Sequence, residues 1–352
     1  MPNNPYDKKH LKNLDKYIAQ VKKSYVNIIN QIAKLSGKGV LNSEKEFYFK
    51  DNKNISKEVD KLLKELFNDV YGTTVSGINS EWDLAVEKNN KTAETIYGTG
   101  LKDLPVRYLS KYLSNNAKAR QNFVERKING LGLSDRIWNN TKQLKAEMEL
   151  ALELSIGKGK SAAYIAKEIK QYLNDPDKLF RRVRDEKGVL RLSKAAKAYH
   201  PGQGKYRSSY KNAVRVTRNE TNFSYEGSNT AKRKQQDFVV GLQIKTSPQH
   251  SPEDDKGGIS CTALQGIYPK DFDFTYKWHV NCKCYTLTVL KTREELDKDL
   301  DLILKGEAPS TPSANEVKGL PNNYTGYLKE NKKKFENWKT PPRTFENNKK
   351  VK

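Results

Sequence analysis

The chain has 352 residues, 65 of them Lys or Arg and 42 Asp or Glu, for a formal net charge of +23. With 36% hydrophobic and 30% charged residues, it can bury a core only by dividing it or by spreading it over an elongated body. No run approaches the ~18 apolar residues of a membrane span, and the opening MPNNPYDKKHLKNLDKY lacks the apolar stretch of a signal peptide. The expectation is therefore a cytoplasmic site of synthesis with no membrane partner, where unpaired thiols persist. The charge points to a polyanionic neighbour, most often nucleic acid, or to a plain lysine-rich surface.

Apolar residues recur at three- and four-residue steps through Leu11, Leu14, Ile18, Val21, Tyr25, Ile28, Ile32 and Leu35. This predicts an amphipathic helix, stopped by Gly37 and Gly39. A second stripe, Ile55, Val59, Leu62, Leu63, Leu66, Phe67 and Val70, carries helical character through Trp82 towards Tyr97. Residues 1–130 thus read as an all-helical lobe. Asn115 to Asn129 is expected as a basic helix, and GLGLSDRIWNN marks a boundary with Ser134 as N-cap. The following helix, with Ile137, Leu144, Met148, Ala151 and Leu152, ends at GKGKS. A phosphate-binding loop would need glycine where Leu154 stands, so this is a joint between helices, with Ser161 capping SAAYIAKEIKQYLN.

Residues 131–238 are the most basic region. Between Lys178 and Lys234 there are sixteen basic and four acidic residues, interleaved with Tyr199, Tyr206, Tyr210, Phe223 and Tyr225. A long helix is expected from Ser208 to Gln236. Arg181, Arg182, Arg184, Arg207, Lys211, Arg215, Lys232, Arg233 and Lys234 are candidate contacts to a phosphate backbone, made without reading sequence. An acidic protein surface is the other candidate. Arg218 and Glu220 lie on different helix faces and read as structural, fixing the helix against the Cys/His region, not as a catalytic pair.

Residues 239–305 hold the chemistry-bearing side chains. Two strand-like segments, DFVVGLQIKTS and CYTLTVL, flank HSPEDDKGGISC, LQGIYPKDF and WHVNCKC. His250, Cys261, His279, Cys282 and Cys284 offer thiolate and imidazole, the ligands zinc prefers, although their spacing differs from paired CxxC knuckles. The alternative is a set of small buried groups and hydrogen-bonding caps. A disulfide between Cys282 and Cys284 would be strained. A nucleotide deaminase needs glutamate two residues after its histidine ligand and a PCxxC run; Asn281 and Lys283-Cys284 stand in those places. Nothing local marks one cysteine as a nucleophile. A metal-dependent nuclease using His250, Asp254 or Asp255 and His279 stays open as a competing reading, as does a free-standing DNA-binding protein.

After Leu290, KTREELDKDLDLILKGE reads as a short helix. Residues 306–352 contain the Pro/Ser-rich linker APSTPSAN and a basic tail with Phe335, Trp338 and Phe345 spaced along it. That tail is expected either to be disordered in isolation or to order on a partner.

Two of these stretches resemble the phage minor head protein family, the Mu F-like head morphogenesis proteins, in the form found in phages and prophages of Bacteroidetes-type hosts. One is the series H-x3-DD, C-x2-L-x-G, YPKDF and WHxxCxC before a short strand. The family's closing motif usually reads HPxCRC; Val280 replaces its proline and Lys283 its arginine. The other is YHPGQGKYRSSYKNAVRVTRNETNFSYEGSN, similar to the family's YxPGxGxYRSSYKNAxRLTRTExNxAYR. The joint near Gly157 and the proline-aromatic-Asn ending are weaker likenesses. The resemblance spans roughly residues 130 to 352. It implies a non-enzymatic virion protein that sits at the portal vertex, contacts the portal protein, major capsid or scaffold proteins and phage DNA, and assists head assembly and DNA packaging or ejection. The fold expected is predominantly helical α+β, an extended helical body with a small β-containing Cys/His module near the C-terminus.

Overall fold

A computed structural model describes residues 4–36, 48–156, 161–175, 182–184, 186–192, 207–248, 250, 259–338 and 341–351. The architecture is helical α+β: helices dominate, and one three-stranded antiparallel sheet lies in the C-terminal part. The chain divides into two compact units, each assembled from separated segments. One comprises Met1–Leu14, Ile78–Val124 and Asn219–Lys352, the other Asp15–Gly77 and Glu125–Arg218. This differs from four consecutive regions because three long helices contribute residues to both units.

The first of these is α1, Pro5–Ser36. It begins as helix-start chemistry requires: the Asn4 side chain accepts the Tyr6 N–H at 2.9 Å, proline stands at the first helical position, and Asp7 lies in the first turn. The second is α2, Lys53–Tyr97, the continuous helix that the second stripe predicts. The third is α7, Ser209–Gln235.

In the unit of Asp15–Gly77 and Glu125–Arg218, the predicted stripes form the core. Val21, Tyr25, Ile28 and Ile32 of α1 and Val59, Leu63, Leu66 and Val70 of α2 are buried. So are Ile137, Leu144 and Met148 of α5, Leu133–Ile156, and Ile165, Ile169 and Tyr172 of α6, Ala162–Asn174. Buried Glu147 on α5 accepts the Ser209 N–H at 2.9 Å, supplying one of the acceptors that the start of α7 lacks. Ser161 caps α6, its side chain accepting the Tyr164 N–H. Ser134 does not cap α5. It lies within the first turn, and Asp135 reaches back to the Gly132 N–H at 2.9 Å instead. A short antiparallel hairpin, β1 (Arg182–Arg184) and β2 (Leu190–Leu192), completes this unit.

In the other unit, α3 (Val106–Leu113) and α4 (Ala117–Glu125) follow α2. The basic helix expected over 115–129 is thus shorter: Asn115 Oδ1 takes the Ala117 N–H at its start, and Asn129 has a positive φ of 51° beyond its end. The sheet has the order β4-β3-β5, from β3 (Val239–Lys245), β4 (Gly266–Pro269) and β5 (Tyr285–Leu290). Helix α8, Arg293–Leu304, starts with a reciprocal capping box between Thr292 and Glu295. Its Leu296 and Ile303 join Tyr97, Tyr112, Phe238 and Val239 in one core cluster.

The tail is folded. Helices α9 (Asn322–Glu330), α10 (Lys332–Glu336) and α11 (Arg343–Asn347) lay an aromatic face on the Cys/His module. Tyr324 and Phe345 are buried with Tyr268, Phe272, Trp278 and the three cysteines, and Phe335 and Trp338 pack at the edge. The tail therefore docks on its own chain. The linker is held too: Asp299 accepts the Thr311 N–H at 3.0 Å, and Glu295 accepts the Ser313 hydroxyl at 2.7 Å.

If the tail closes the module by aromatic burial, Phe345→Ala should destabilise the protein by about 3 kcal/mol, the low end for truncating a buried phenylalanine. Urea unfolding followed by tryptophan fluorescence checks this; a loss under about 0.5 kcal/mol, the level of a surface substitution, would contradict it.

Candidate metal centre

The module is a set of turns hung between strands. Cys261 lies in the turn before β4, where the Leu264 N–H returns to the Cys261 carbonyl. His279 and Cys282 lie in the turn before β5, closed by the Cys282 N–H to the His279 carbonyl at 3.2 Å. Cys284 immediately precedes β5. Two non-glycine residues in this turn take left-handed backbone, Lys277 (φ 52°) and Asn281 (φ 60°), a conformation that needs support from its surroundings. Both have it: the Asn281 N–H donates to Asn219 Oδ1 at 2.9 Å, and the Lys277 ammonium donates to the Cys284 carbonyl at 2.7 Å.

These turns bring Cys261 Sγ, His279 Nε2 and Cys282 Sγ within 4.8 Å of one another, a group able to hold a metal ion. The two sulfurs are 3.6 Å apart, and Cys261 Sγ is 2.8 Å from His279 Nε2. Tetrahedral zinc, with bonds of about 2.3 Å to sulfur and 2.0 Å to nitrogen, would set these separations near ~3.8 and ~3.5 Å. The sulfur pair already fits, and the ring would back away by roughly 0.7 Å on that geometry.

The tautomer is suitable. His279 Nδ1 is 2.9 Å from the Val280 carbonyl, which can only accept, so Nδ1 carries a hydrogen, and in the neutral ring Nε2 is the nitrogen left to face the sulfurs. A hydrogen bond from the far ring nitrogen to a carbonyl is what orients a metal-binding histidine. All three cysteines are buried and unbridged. Burial pushes the Cys282 thiol up, but hydrogen bonds with Cys261 and Cys284 and the nearby His279 and Lys277 overcome it and hold Cys282 well below the ordinary thiol value. Cys261 is pushed up by its hydrogen bonds with Cys282 and Cys284 and by burial. For Cys284 the hydrogen bond with Cys261 lowers, while that with Cys282 and burial raise and win. Cys282 is thus the thiol of the three most readily ionised, and Cys284 lies beside the three-atom group as a further sulfur.

Not every expected ligand gathers here. His250 is held through its N–H to the Ser247 carbonyl and lies 3.4 Å from Thr262 Oγ1; it is not in the metal-binding group. Asp254 and Asp255, on which the nuclease reading depends, lie outside the described residues.

The candidate nucleic-acid contacts divide sharply. Lys232 and Arg233 are buried and are corrected to structural roles. The Lys232 ammonium donates to the Tyr112 carbonyl at 2.5 Å and the Ser114 carbonyl at 2.9 Å, neutralising the end of α3, and burial lowers its pKa to about 8. The Arg233 guanidinium donates to the Lys270 and Phe272 carbonyls at 3.1 and 2.9 Å. Lys234 is exposed, and Arg207, Lys211 and Arg215 are half-buried. Arg182 and Arg184 lie on β1, where only the backbone is described, and Arg181 falls outside the described residues. Glu220 is buried, while Arg218 reaches Asp15 at 3.7 Å.

Other residues of the same run bond α7 to the module. Asn222 donates to the Cys282 carbonyl at 3.0 Å, and Glu226 accepts the Thr286 hydroxyl at 3.0 Å. Asn222 Oδ1 also meets His10 Nε2 at 3.0 Å, and His10 Nδ1 meets Glu81 Oε2 at 2.6 Å. The His10 ring stacks on Tyr225 at 4.0 Å, whose hydroxyl donates to Asp7. These residues stand in TRNETNFSYEG, the stretch that carries the resemblance; its polar Asn, Tyr and Glu at helical spacing were the available signal.

Comparison of the chain with models of protein families, with curated proteins and with solved structures finds no match.

The geometry predicts about one tightly held divalent ion per chain, the stoichiometry of a single closed site. Elemental analysis of protein refolded with zinc or cobalt should find that ion in the native sequence and in His250→Ala. It should be lost in Cys261→Ser, His279→Ala and Cys282→Ser; equal metal content in all variants would contradict the site.

Proposed function

We propose that the chain is a structural, portal-associated minor head protein of a tailed phage or prophage, and that zinc bound by Cys261, His279 and Cys282, with Cys284 alongside, clasps its C-terminal module. The observation that carries this reading is the meeting of the two resembling runs. Asn219 and Asn222 of the TRNETN segment bond the backbone of Asn281 and Cys282 in WHVNCKC. Motifs 60 residues apart thus serve one structural joint, which gives a physical reason for their occurring together.

Zinc suits the donor set because two or three sulfurs and one imidazole exclude the hard cations that take oxygen ligands. Three cysteines plus one histidine would complete a closed site, and closed sites are structural, whereas catalytic ones keep a position open. The portal protein, major capsid or scaffold proteins and phage DNA are the partners this role supplies.

Co-expression with the portal and major capsid proteins of the same genome, followed by purification of particles, tests the proposal. The chain should co-purify with particles or with portal complexes. Its absence from both would overturn the reading.

A further inference from the structure

An open cleft of about 860 Å³ lies within the unit that carries the three-stranded sheet. Its floor includes Val239 and Val240 of β3 and Pro269 at the end of β4; the linker from Pro309 to Lys318 forms one wall, and Lys350 near the end of the tail stands at another. Four lysines line it: Lys270, Lys291, Lys318 and Lys350.

Their charge balance is uneven. Lys291 is neutralised by Asp299 at 2.6 Å. The wall carboxylate of Asp237 is occupied by Lys111, both oxygens at 2.7 Å. Among the described residues the other three lysines have no carboxylate at ion-pair distance. Among the described residues Lys270 donates to the Gln236 carbonyl alone, at 2.9 Å, while the exposed Lys318 and Lys350 make no side-chain hydrogen bond. The remaining acids of the lining, Asp271 and Glu316, are themselves exposed. Burial draws the pKa of Lys270 down, and the neighbouring Asp237 and Asp271 only partly offset it.

The walls are built in advance. The linker is tied by the Asp299 and Glu295 carboxylates and by Lys291, which donates to the Thr311 carbonyl at 2.7 Å. Val317 closes over Gly241 so tightly that a β-carbon there would come within 2.6 Å of it. On the far side, buried Asn348 accepts the Asp273 N–H at 2.8 Å and donates to the Asp273 carbonyl at 2.9 Å, fixing the chain two residues before Lys350.

We propose that this cleft seats the phosphate backbone of double-stranded DNA, with Lys270, Lys318 and Lys350 as the phosphate contacts. Lysine binds phosphate as a point charge, and the described lining residues offer it three lysines outside ion-pair distance of any carboxylate. Among the described residues no aromatic side chain lines it, so they offer no platform for stacking the bases of a single strand. The contact is therefore to backbone and independent of sequence. This deepens the DNA contact of the proposed function and rests on that reading only for the duplex character of the ligand. It also moves the basic surface away from Lys232 and Arg233, which the fold consumes internally.

Fluorescence anisotropy of the full chain with a labelled random-sequence duplex, over a salt series, tests the assignment. The Lys270→Gln/Lys318→Gln/Lys350→Gln variant should bind about tenfold more weakly or worse. Its log–log salt slope should be shallower by about 2.7, at ~0.9 for each phosphate no longer neutralised. Lys318→Gln/Lys350→Gln, which alters only exposed side chains that bond nothing in the fold, should reduce that slope by about 1.8 with an unchanged melting temperature. Lys298→Gln/Lys305→Gln on and beside α8 should bind as the native chain does. The assignment is overturned by native-like binding of the triple variant, by absence of duplex binding at low salt, or by polyglutamate competing as well as duplex. Retained DNA binding by a chain missing from particles would sink the portal reading alone. A triple variant that enters particles but no longer binds DNA is the result expected if both hold.

Discussion

The carboxamide of Asn222 is the joint on which the sheet-bearing unit depends. It is buried, donates to the Cys282 carbonyl and presents its oxygen to the His10 ring, which Glu81 holds from the other side. One side chain thus links the start of α1, the middle of α2, the helix α7 and the cysteine cluster, four places far apart in sequence. In a low-dielectric interior such a chain of hydrogen bonds is costly to leave half-made, so each element holds the others in register. Asp7, paired with Lys88 at 2.8 Å and with the Tyr225 hydroxyl at 2.7 Å, extends the same network.

From that joint the module follows. The backbone of the turn before β5 is pinned by Asn219 and Asn222, which points the lone pair of His279 and the sulfurs of Cys261 and Cys282 at one another. The aromatic tail then packs with the sulfur cluster in one core, its Tyr324 and Phe345 rings 6.0 and 5.8 Å from that of Trp278. Polar pinning on one side and aromatic burial on the other give the three-stranded sheet the packed hydrophobic face that its stability requires. The proposed metal would add a third constraint to so small a core.

Much of this was legible in the residues. The three- and four-residue spacing of Val21, Tyr25, Ile28 and Ile32 could only be one buried helix face, and Ser161 acted as the cap its position suggested. The two strands flanking the cysteines were also readable, as β3 and β5. What escaped was non-local. Lys232 and Arg233 read as a solvated basic run because nothing nearby in sequence reveals that carbonyls of residues 112, 114, 270 and 272 converge on them. His250 and His279 were chemically equivalent as candidates; only the turn geometry separates them. The tail's aromatics carry no periodicity because they reach the module from three short helices. Ser134 yielded its capping role to a neighbour, Asp135, one residue on.

In the proposed reading the Cys/His cluster is a metal-tied clasp on which the fold of the module rests. The most direct measurement is the thermal unfolding of the full chain before and after complete metal removal by a chelator, with zinc then restored. A clasp predicts that removal lowers the melting temperature and that zinc at about a thousand times its dissociation constant returns roughly 4 kcal/mol of stability. A melting temperature that is the same with and without metal would contradict it, and would leave the sulfurs as packing and hydrogen-bonding groups alone.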